Sequence, residues 1–399
     1  CHIGIAVLMP EPNYINSYPT KLFEYLAMDI PVITSNFELY KDVVTTNNVG
    51  FCVDPVEPVE FESAVLELYN NKKLLTVSIP TWDREDNLKL ILERLAPQLD
   101  EDCIVNIIVN NSSYNVDSMV ESVMDRICQF DYKIYTNREN IGGSANVVEC
   151  FRKCNTQWNF IIGDSKLPSL DVINTLKRQI VSMPNVFFVN YYYPSIDHSV
   201  RDKSSVVCSN MEFLSNMGSF GNVILLGNSL YSNHIVKKYI GQAYQYLNSW
   251  SPQFAIVVLA MRDGKKEILL SNNSVIEGFL RKPAKALHTQ SLVDCWIGFS
   301  ELLDIFEDDK CRQSLINNIF GYSEVSSMNL LSLIKAVLLL SYSQNRGYAL
   351  HMLYRATSIR HFYGVKKYEY ILIIITNQVL KYNFLHKFSY ILYKNIRNQ

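Results

Sequence analysis

The sequence predicts an α/β protein organised on a mainly parallel sheet, and three observations carry that prediction. Apolar runs of strand length, Leu75–Ile79, Ile104–Val109 and Trp158–Ile162, alternate with amphipathic helical stretches. Each run breaks off in small polar residues: Pro80-Thr81, then Asn110-Asn111-Ser112-Ser113, then Gly163-Asp164-Ser165. Parallel strands buried on both faces read as unbroken apolar runs, and ligands bind outside their carboxyl ends. Composition agrees: 48% hydrophobic and 12% aromatic residues over 399 positions can fill a large core in two or three domains, and exclude a disordered chain.

In chain order, residues 1–73 read as strand Ile3–Met9, helix Pro19–Met28, strand Pro31–Ser35 and helix Pro58–Asn70. They make a partial Rossmann-like unit that runs into the next strand at 72–74 with no linker. The second region, 74–290, opens with Leu75–Ile79. Helix Asp83–Leu95 follows, with Leu88, Ile91, Leu92 and Leu95 on one face. Strands Ile104–Val109, Tyr132–Tyr135, Trp158–Ile162 and Asn185–Tyr193 alternate with helices Val116–Cys128, Ser144–Cys154 and Asp171–Met183. Beyond these, Met211–Asn216, Asn233–Tyr239 and Phe254–Met261 read as helices, and Val223–Leu226 and Glu267–Leu270 as strands. Residues 291–399 read as a helical, basic, aromatic-rich region.

The net charge of -2 hides an asymmetry. Residues 344–399 hold nine Lys/Arg against the single acid Glu369, a charge of +8, which leaves about -10 on 1–343. With its eight Tyr and three Phe, this tail suits an anionic membrane surface. A helical cap with a solvated basic face is the alternative, and no recognised nucleic-acid motif favours a nucleic-acid partner. No apolar run reaches the ~18 residues of a spanning helix; Leu331–Leu340 and Ile371–Ile375 fall short. Nine Cys without paired metal spacing suggest reduced thiols in a cytoplasmic protein, and the basic tail suggests one peripheral on the inner face of a plasma membrane. No signal peptide is visible, and because residue 1 is Cys the chain is expected to extend upstream.

The polar residues after the strands form an ordered set: Pro80-Thr81 and Asp83, Asn110-Asn111, Asn140-Ile-Gly142-Gly143-Ser-Ala-Asn146, and Gly163-Asp164. They are expected to meet on one sheet edge. As a set they resemble the nucleotide-sugar half of the family 2 glycosyltransferases over about 75–265. That resemblance implies a GT-A fold and inverting transfer of a sugar from a nucleotide-sugar donor to a surface polysaccharide (O-antigen, capsule or exopolysaccharide), with a glycan or lipid-linked glycan acceptor. It implies that Pro80, Thr81 and Asp83 hold base and ribose. Asn110 and Asn111 stand where the family has Asp and can hydrogen-bond a base edge. Gly142 and Gly143 let backbone approach the donor, and Arg138 reaches a phosphate.

Asp164 is the candidate ligand for Mg²⁺ or Mn²⁺. The family's second Asp is replaced by Lys166, which supplies positive charge to the leaving diphosphate. The general base is unassigned. The positions expected to carry it are Pro252 and Gln253, neither of which accepts a proton, and Asp197, His198, Glu212 and His234 are substitutes. Tyr191–Tyr193, Tyr244, Tyr246 and Trp250 either stack on sugar faces or fill the core.

The phrase from Ser17 to Ala27, followed by Pro31-Val32-Ile33, resembles the donor-binding end of the family 4 glycosyltransferases, which have the GT-B fold. The resemblance implies Lys21 at the diphosphate and Glu24 at the ribose. Asn16 and Asp29 depart from its pattern. Three readings remain open: a transferase, a catalytically degenerate glycan- or nucleotide-sugar-binding scaffold module, and an enzyme whose upstream half precedes Cys1.

Overall fold

The computed structural model describes residues 3–28, 30–47, 49–70, 73–194, 201–264, 266–280, 289–321, 330–343, 346–362 and 367–397. They divide into two compact units, 1–74 and 75–399.

The first unit holds a parallel three-stranded sheet of β1 (Gly4–Ala6), β2 (Val32–Ser35) and β3 (Gly50–Val53), in that order. Side chains of β2 alternate between faces. Val32 packs with Leu22 and Val44, and Ile33 with Val53 and Ala64. Helices Thr20–Ala27, Glu38–Val44 and Pro58–Asn70 supply those partners. Helix Glu38–Val44 and β3 are additions to the sequence-based expectation; at seven and four residues they are too short for periodicity to reveal.

The second unit is built on an eight-stranded sheet. Its members are β4 (Leu75–Thr81), β5 (Cys103–Val109), β6 (Tyr132–Thr136), β7 (Trp158–Ile161), β9 (Val186–Asn190), β10 (Ser205–Val207), β11 (Ser229–Ser232) and β12 (Glu267–Leu270). Their order is β10-β12-β9-β11-β7-β4-β5-β6. Strands β4 to β7 run parallel, as do β9 and β12, whereas β11 and β10 are antiparallel to their neighbours. A short antiparallel pair, β8 (Lys166–Pro168) with β13 (Ile276–Phe279), stands apart. The fold is therefore mixed α/β with a mostly parallel sheet.

All seven residues of β4 are buried. Its polar side chains are satisfied: Thr76 Oγ1 meets Thr156 Oγ1 at 2.8 Å, and Ser78 Oγ donates to Asn159 Oδ1 at 2.8 Å. Pro80 lacks an N–H, and β4 pairs with β7 only through Leu75–Ser78, so the missing donor falls outside that ladder. Helix Glu85–Leu95 buries Leu88, Ile91, Leu92 and Leu95, as its spacing predicts, and opens on Glu85 and Asp86, which favour a helix start.

One expected strand is corrected. Val223 and Ile224 belong to helix Phe220–Ile224, not to a strand. Tertiary contacts decide it: Phe220 packs edge-on to Phe254 at 5.2 Å, and the Ile224 carbonyl accepts from Gln253 Nε2 at 2.8 Å. The strand that enters the sheet is β11, starting at Ser229.

From Thr289 onward the described residues outside 302–308, 317–321 and Tyr382 are α-helical: Thr289–Glu301, Asp309–Ile316, Leu330–Ser343, Arg346–Phe362, Lys367–Lys381 and Asn383–Arg397. Leu333, Val337, Leu340, Leu353 and Leu380 join the main core. Among the described residues no helix is long and apolar enough to cross a membrane. Helix Thr289–Glu301 approaches the turn segment Tyr244–Ser249 through Gly298, where a Cβ would run into the Asn248 carbonyl oxygen. Gly298→Ala is therefore expected to lower unfolding stability by roughly 1–3 kcal/mol, measured by urea denaturation. Unchanged stability would mean that the helix and turn separate at no cost.

Candidate functional site

The carboxyl ends of β4, β5, β6 and β7 lie side by side on one sheet edge. At the end of β7 the chain turns through Gly163 and Asp164 into β8. Asp164 is 7% exposed and both of its carboxylate oxygens are engaged. Oδ1 takes Arg84 Nη1 at 2.5 Å, and Oδ2 accepts from the Trp82 N–H at 3.3 Å. Asn87 Nδ2 donates to the Asp164 carbonyl at 2.9 Å. Trp82, Arg84 and Asn87 all follow β4, so strand β4 and its helix clamp the end of β7.

Lys166 is also 7% exposed. Its Nζ lies 3.9 Å from the Phe279 ring centroid and donates to Ser165 Oγ at 3.1 Å, and no salt bridge to a carboxylate forms among the described residues. Burial drives its pKa down from the usual 10.5 to about 8; Asp164 pulls it up, and the Arg84 charge pushes it down.

Two hydroxyls complete this cluster. Thr81 Oγ1 and Tyr114 Oη are both shielded from solvent and lie against each other. Burial raises the Tyr114 pKa, a hydrogen bond with Thr81 lowers it, and nearby Asp164 adds to the rise.

Beside this cluster, Asn110 is 4% exposed and serves the neighbouring loop. Its Nδ2 donates to Asn140 Oδ1 at 2.7 Å, and its Oδ1 accepts from the Ile141 N–H at 2.9 Å and from Asn137 Nδ2 at 3.3 Å. Asn137 also donates to Asn146 Oδ1 at 2.9 Å. In this structure the asparagine expected to read a base edge holds the 137–142 loop in place. That loop ends at Gly142, φ +83°, with open space around it and around Gly143, the first residue of helix Gly143–Lys153. No side chain caps the helix start. Asp83, φ +47°, accepts the Ser113 N–H at 2.6 Å and donates its own N–H to Ser112 Oγ at 3.1 Å, which ties the β4 and β5 exits together. Asn111 and Arg138 are exposed on these same exits.

The acceptor-side expectations change more. Tyr191 and Tyr193 are buried, so core filling is what they do. Tyr246 packs against the core, and Tyr244 donates to Glu149 Oε1 at 2.8 Å, while Trp250 is exposed. Of the substitute bases, Glu212 Oε2 accepts the Cys208 N–H at 2.8 Å as part of a helix capping box with Ser209. His234 is exposed, and Asp197 and His198 lie outside the described residues. In the other unit, Lys21 and Glu24 are exposed on helix Thr20–Ala27.

The residues do not fit a divalent metal at Asp164. Its oxygens are spent on Arg84 and the Trp82 N–H, Lys166 adds like charge beside it, and no group of three His, Cys, Asp or Glu able to hold a metal exists among the described residues. Sequence reasoning missed Trp82, Arg84, Asn87 and Tyr114. Their only signal is position, directly after strands that end at the same edge.

The model of one family, Glycosyl transferases group 1, matches residues 5–79. The matched stretch coincides with the segment that resembles family 4. It also corrects the recognition of a family 2 member: the family found is group 1 and not family 2, so the family 2 membership is withdrawn. No curated protein matches this chain. Among solved structures, the chain is similar to S. aureus TarS 1–349 in complex with UDP-GlcNAc, at 11% identity and a TM-score of 0.50, over 77% of this chain and 90% of that one. A mannosyltransferase from Pyrobaculum calidifontis in complex with GDP-Man and Mn²⁺ gives 11% identity and 0.42 over 79% and 82%. Glucosyl-3-phosphoglycerate synthase from Mycobacterium tuberculosis gives 11% and 0.40 over 61% and 84%. The first likeness bears on the fold; the other two, below 0.5, carry no argument. The group 1 match and the shared fold support a glycosyltransferase.

The buried lysine yields a stability test. Below pH 8 Lys166 is charged in both folded and unfolded chains, and its burial costs stability in full. Between about 8 and 10.5 the folded state releases the proton that the unfolded chain keeps, so stability rises with pH across that window. Lys166→Met is expected to be more stable than wild type at pH 7, by on the order of 1–3 kcal/mol in urea denaturation, with the gap closing toward pH 10. A less stable variant at pH 7 would mean that the Phe279 and Ser165 contacts outweigh desolvation.

Proposed function

We propose that this protein transfers a sugar from a nucleotide-sugar donor to a glycan acceptor, with the donor diphosphate seated at the carboxyl ends of β4 and β7. The observation that carries this reading is Lys166, a buried ammonium at the start of β8 that makes no salt bridge to a carboxylate among the described residues. Burying a cation is costly, the one acid acting on it, Asp164, is shared with Arg84, and a diphosphate offers further negative charge.

The chemistry asked of these residues is electrostatic. The bond between the sugar's anomeric carbon and the diphosphate oxygen breaks, a bond to the acceptor oxygen forms, and the acceptor hydroxyl gives up a proton. Negative charge grows on the departing diphosphate, and Lys166 and Arg84 stand ready to balance it in place of a metal. Asp164 orients the Arg84 guanidinium. The Thr81 and Tyr114 hydroxyls, the exposed Trp82 ring and the open backbone at Gly142-Gly143 offer donors and a stacking face for the rest of the nucleotide. Surface-polysaccharide synthesis, on a lipid-linked glycan, is the setting we infer for the acceptor.

A second reading, a catalytically degenerate nucleotide-sugar-binding module, is favoured by one observation. Glu212, a candidate base, is committed to the Cys208 N–H. Binding without turnover would select it.

The test is a thermal-shift screen of UDP-, GDP-, CMP- and dTDP-sugars, followed by transfer and donor-hydrolysis assays with EDTA or Mn²⁺. Stabilisation by at least one donor is expected, with activity surviving EDTA and falling roughly 100-fold or more in Lys166→Met and in Arg84→Met. No shift with any donor would overturn the reading. Activity that EDTA abolishes and Mn²⁺ restores would replace the two cations with a metal.

A further inference from the structure

We infer that the last two helices dock this protein on an anionic lipid surface through faces turned away from its core. Helix Asn383–Arg397 shows the pattern most clearly. Its inner face is partly polar: His386 Nε2 meets Ser341 Oγ at 2.9 Å, Ser389 Oγ takes the Tyr342 hydroxyl at 2.9 Å, and Tyr390 packs on the Tyr342 ring at 5.0 Å. Its outer face carries Phe384, Lys387, Phe388 and Ile391, spaced i, i+3, i+4, i+7, with Phe384 70% and Phe388 60% exposed. The usual amphipathic arrangement, apolar in and polar out, is reversed.

Helix Lys367–Lys381 is apolar on both sides: Leu372 and Ile373 pack against the core and Leu380 is buried, while Ile371, Ile374 and Ile375 are each 44–56% exposed. Exposed Tyr382 joins the two helices, and Lys381 beside it is also exposed. Scattered surface apolar residues need no explanation, but two helical stripes of large ones mark an interaction surface.

Charge selects the occupant. Residues 344–399 carry +8, so two copies meeting through this region would set like charge against like. A bilayer with acidic headgroups satisfies both features at once. Phenylalanine and isoleucine enter the boundary between headgroups and acyl chains, and Lys381 and Lys387 stay at the phosphate level. Since no described helix spans a membrane, attachment would be peripheral and sensitive to salt.

The experiment is co-sedimentation of the full chain with vesicles of phosphatidylcholine alone or with roughly 30% phosphatidylglycerol. Wild type is expected to pellet with the acidic vesicles, less so at high salt, and hardly with the neutral ones. Phe384→Glu/Phe388→Glu changes exposed positions only; it should keep its melting temperature and lose about 100-fold in apparent vesicle affinity. A Lys381→Glu/Lys387→Glu variant should weaken binding to acidic vesicles and blunt the salt effect. Three results would overturn the inference: no pelleting with acidic vesicles, equal pelleting of wild type and the Phe variant, or a wild-type dimer in size-exclusion light scattering that the Phe variant dissociates. Donor binding by the Phe variant is expected to be intact. Its loss together with vesicle binding would also count against a separate docking surface.

Discussion

Strand β4 lies between β5 and β7 and is buried along its whole length, so polar chemistry can surface only where it ends. That constraint sets the rest of the unit. Each neighbour is registered against β4: β5 ends level with it, Thr81 opposite Val109, while β7 ends opposite Ser78, so the turn through Gly163 and Asp164 runs beside the last residues of β4. Burying Leu75, Val77 and Ile79 stabilises the arrangement by about 1.5–3 kcal/mol each. The polar residues on the same strand are held by Thr156 and Asn159, which prevents a slipped register from being equally good.

The Arg84–Asp164 pair is the electrostatic counterpart of that registration. It joins the turn after β4 to the turn after β7 across 80 residues of chain, at 2.5 Å. A pair of this kind adds modest net stability, because both ions lose water, but removing one partner strands the other. Its consequence is geometric. With its carboxylate committed to a guanidinium, Asp164 acts as a positioning group that fixes the turn after β4 against the turn after β7.

Legibility in the sequence followed element length and the range of the partner. Long apolar runs revealed β4, β5 and β7, and heptad-like spacing revealed the buried face of Glu85–Leu95. Strands β8, β10 and β13 span three or four residues and carry no period of their own; neighbours create them. Val223–Leu226 looked like a strand because apolar runs do not distinguish strand from helix, and contacts from Phe254 and Gln253 settled it. At the site, the small polar residues were visible as a set, but their division of labour was not. Asn110 looks equally suited to a ligand and to a loop, and only the arrival of Asn137, Asn140 and Ile141 selects the loop. Arg84 was invisible for the same reason: nothing local announces a partner so distant in sequence.

The replacement of the expected second acid by Lys166 changes what the site can hold. Two carboxylates at a strand end attract a divalent cation and then, through it, a diphosphate. One carboxylate paired with Arg84, with an ammonium beside it, is a poorer cation ligand, and under the proposed function that ammonium would face the diphosphate directly. The Phe279 ring supports this without cancelling it, since a ring face steadies an ammonium while leaving its charge uncompensated. Uncharged Asn110 and Asn111 act in the same direction, because aspartates there would return negative charge to the edge. Asp164 committed to Arg84 and Lys166 buried beside it leave this end of the sheet without a free pair of carboxylates for a metal.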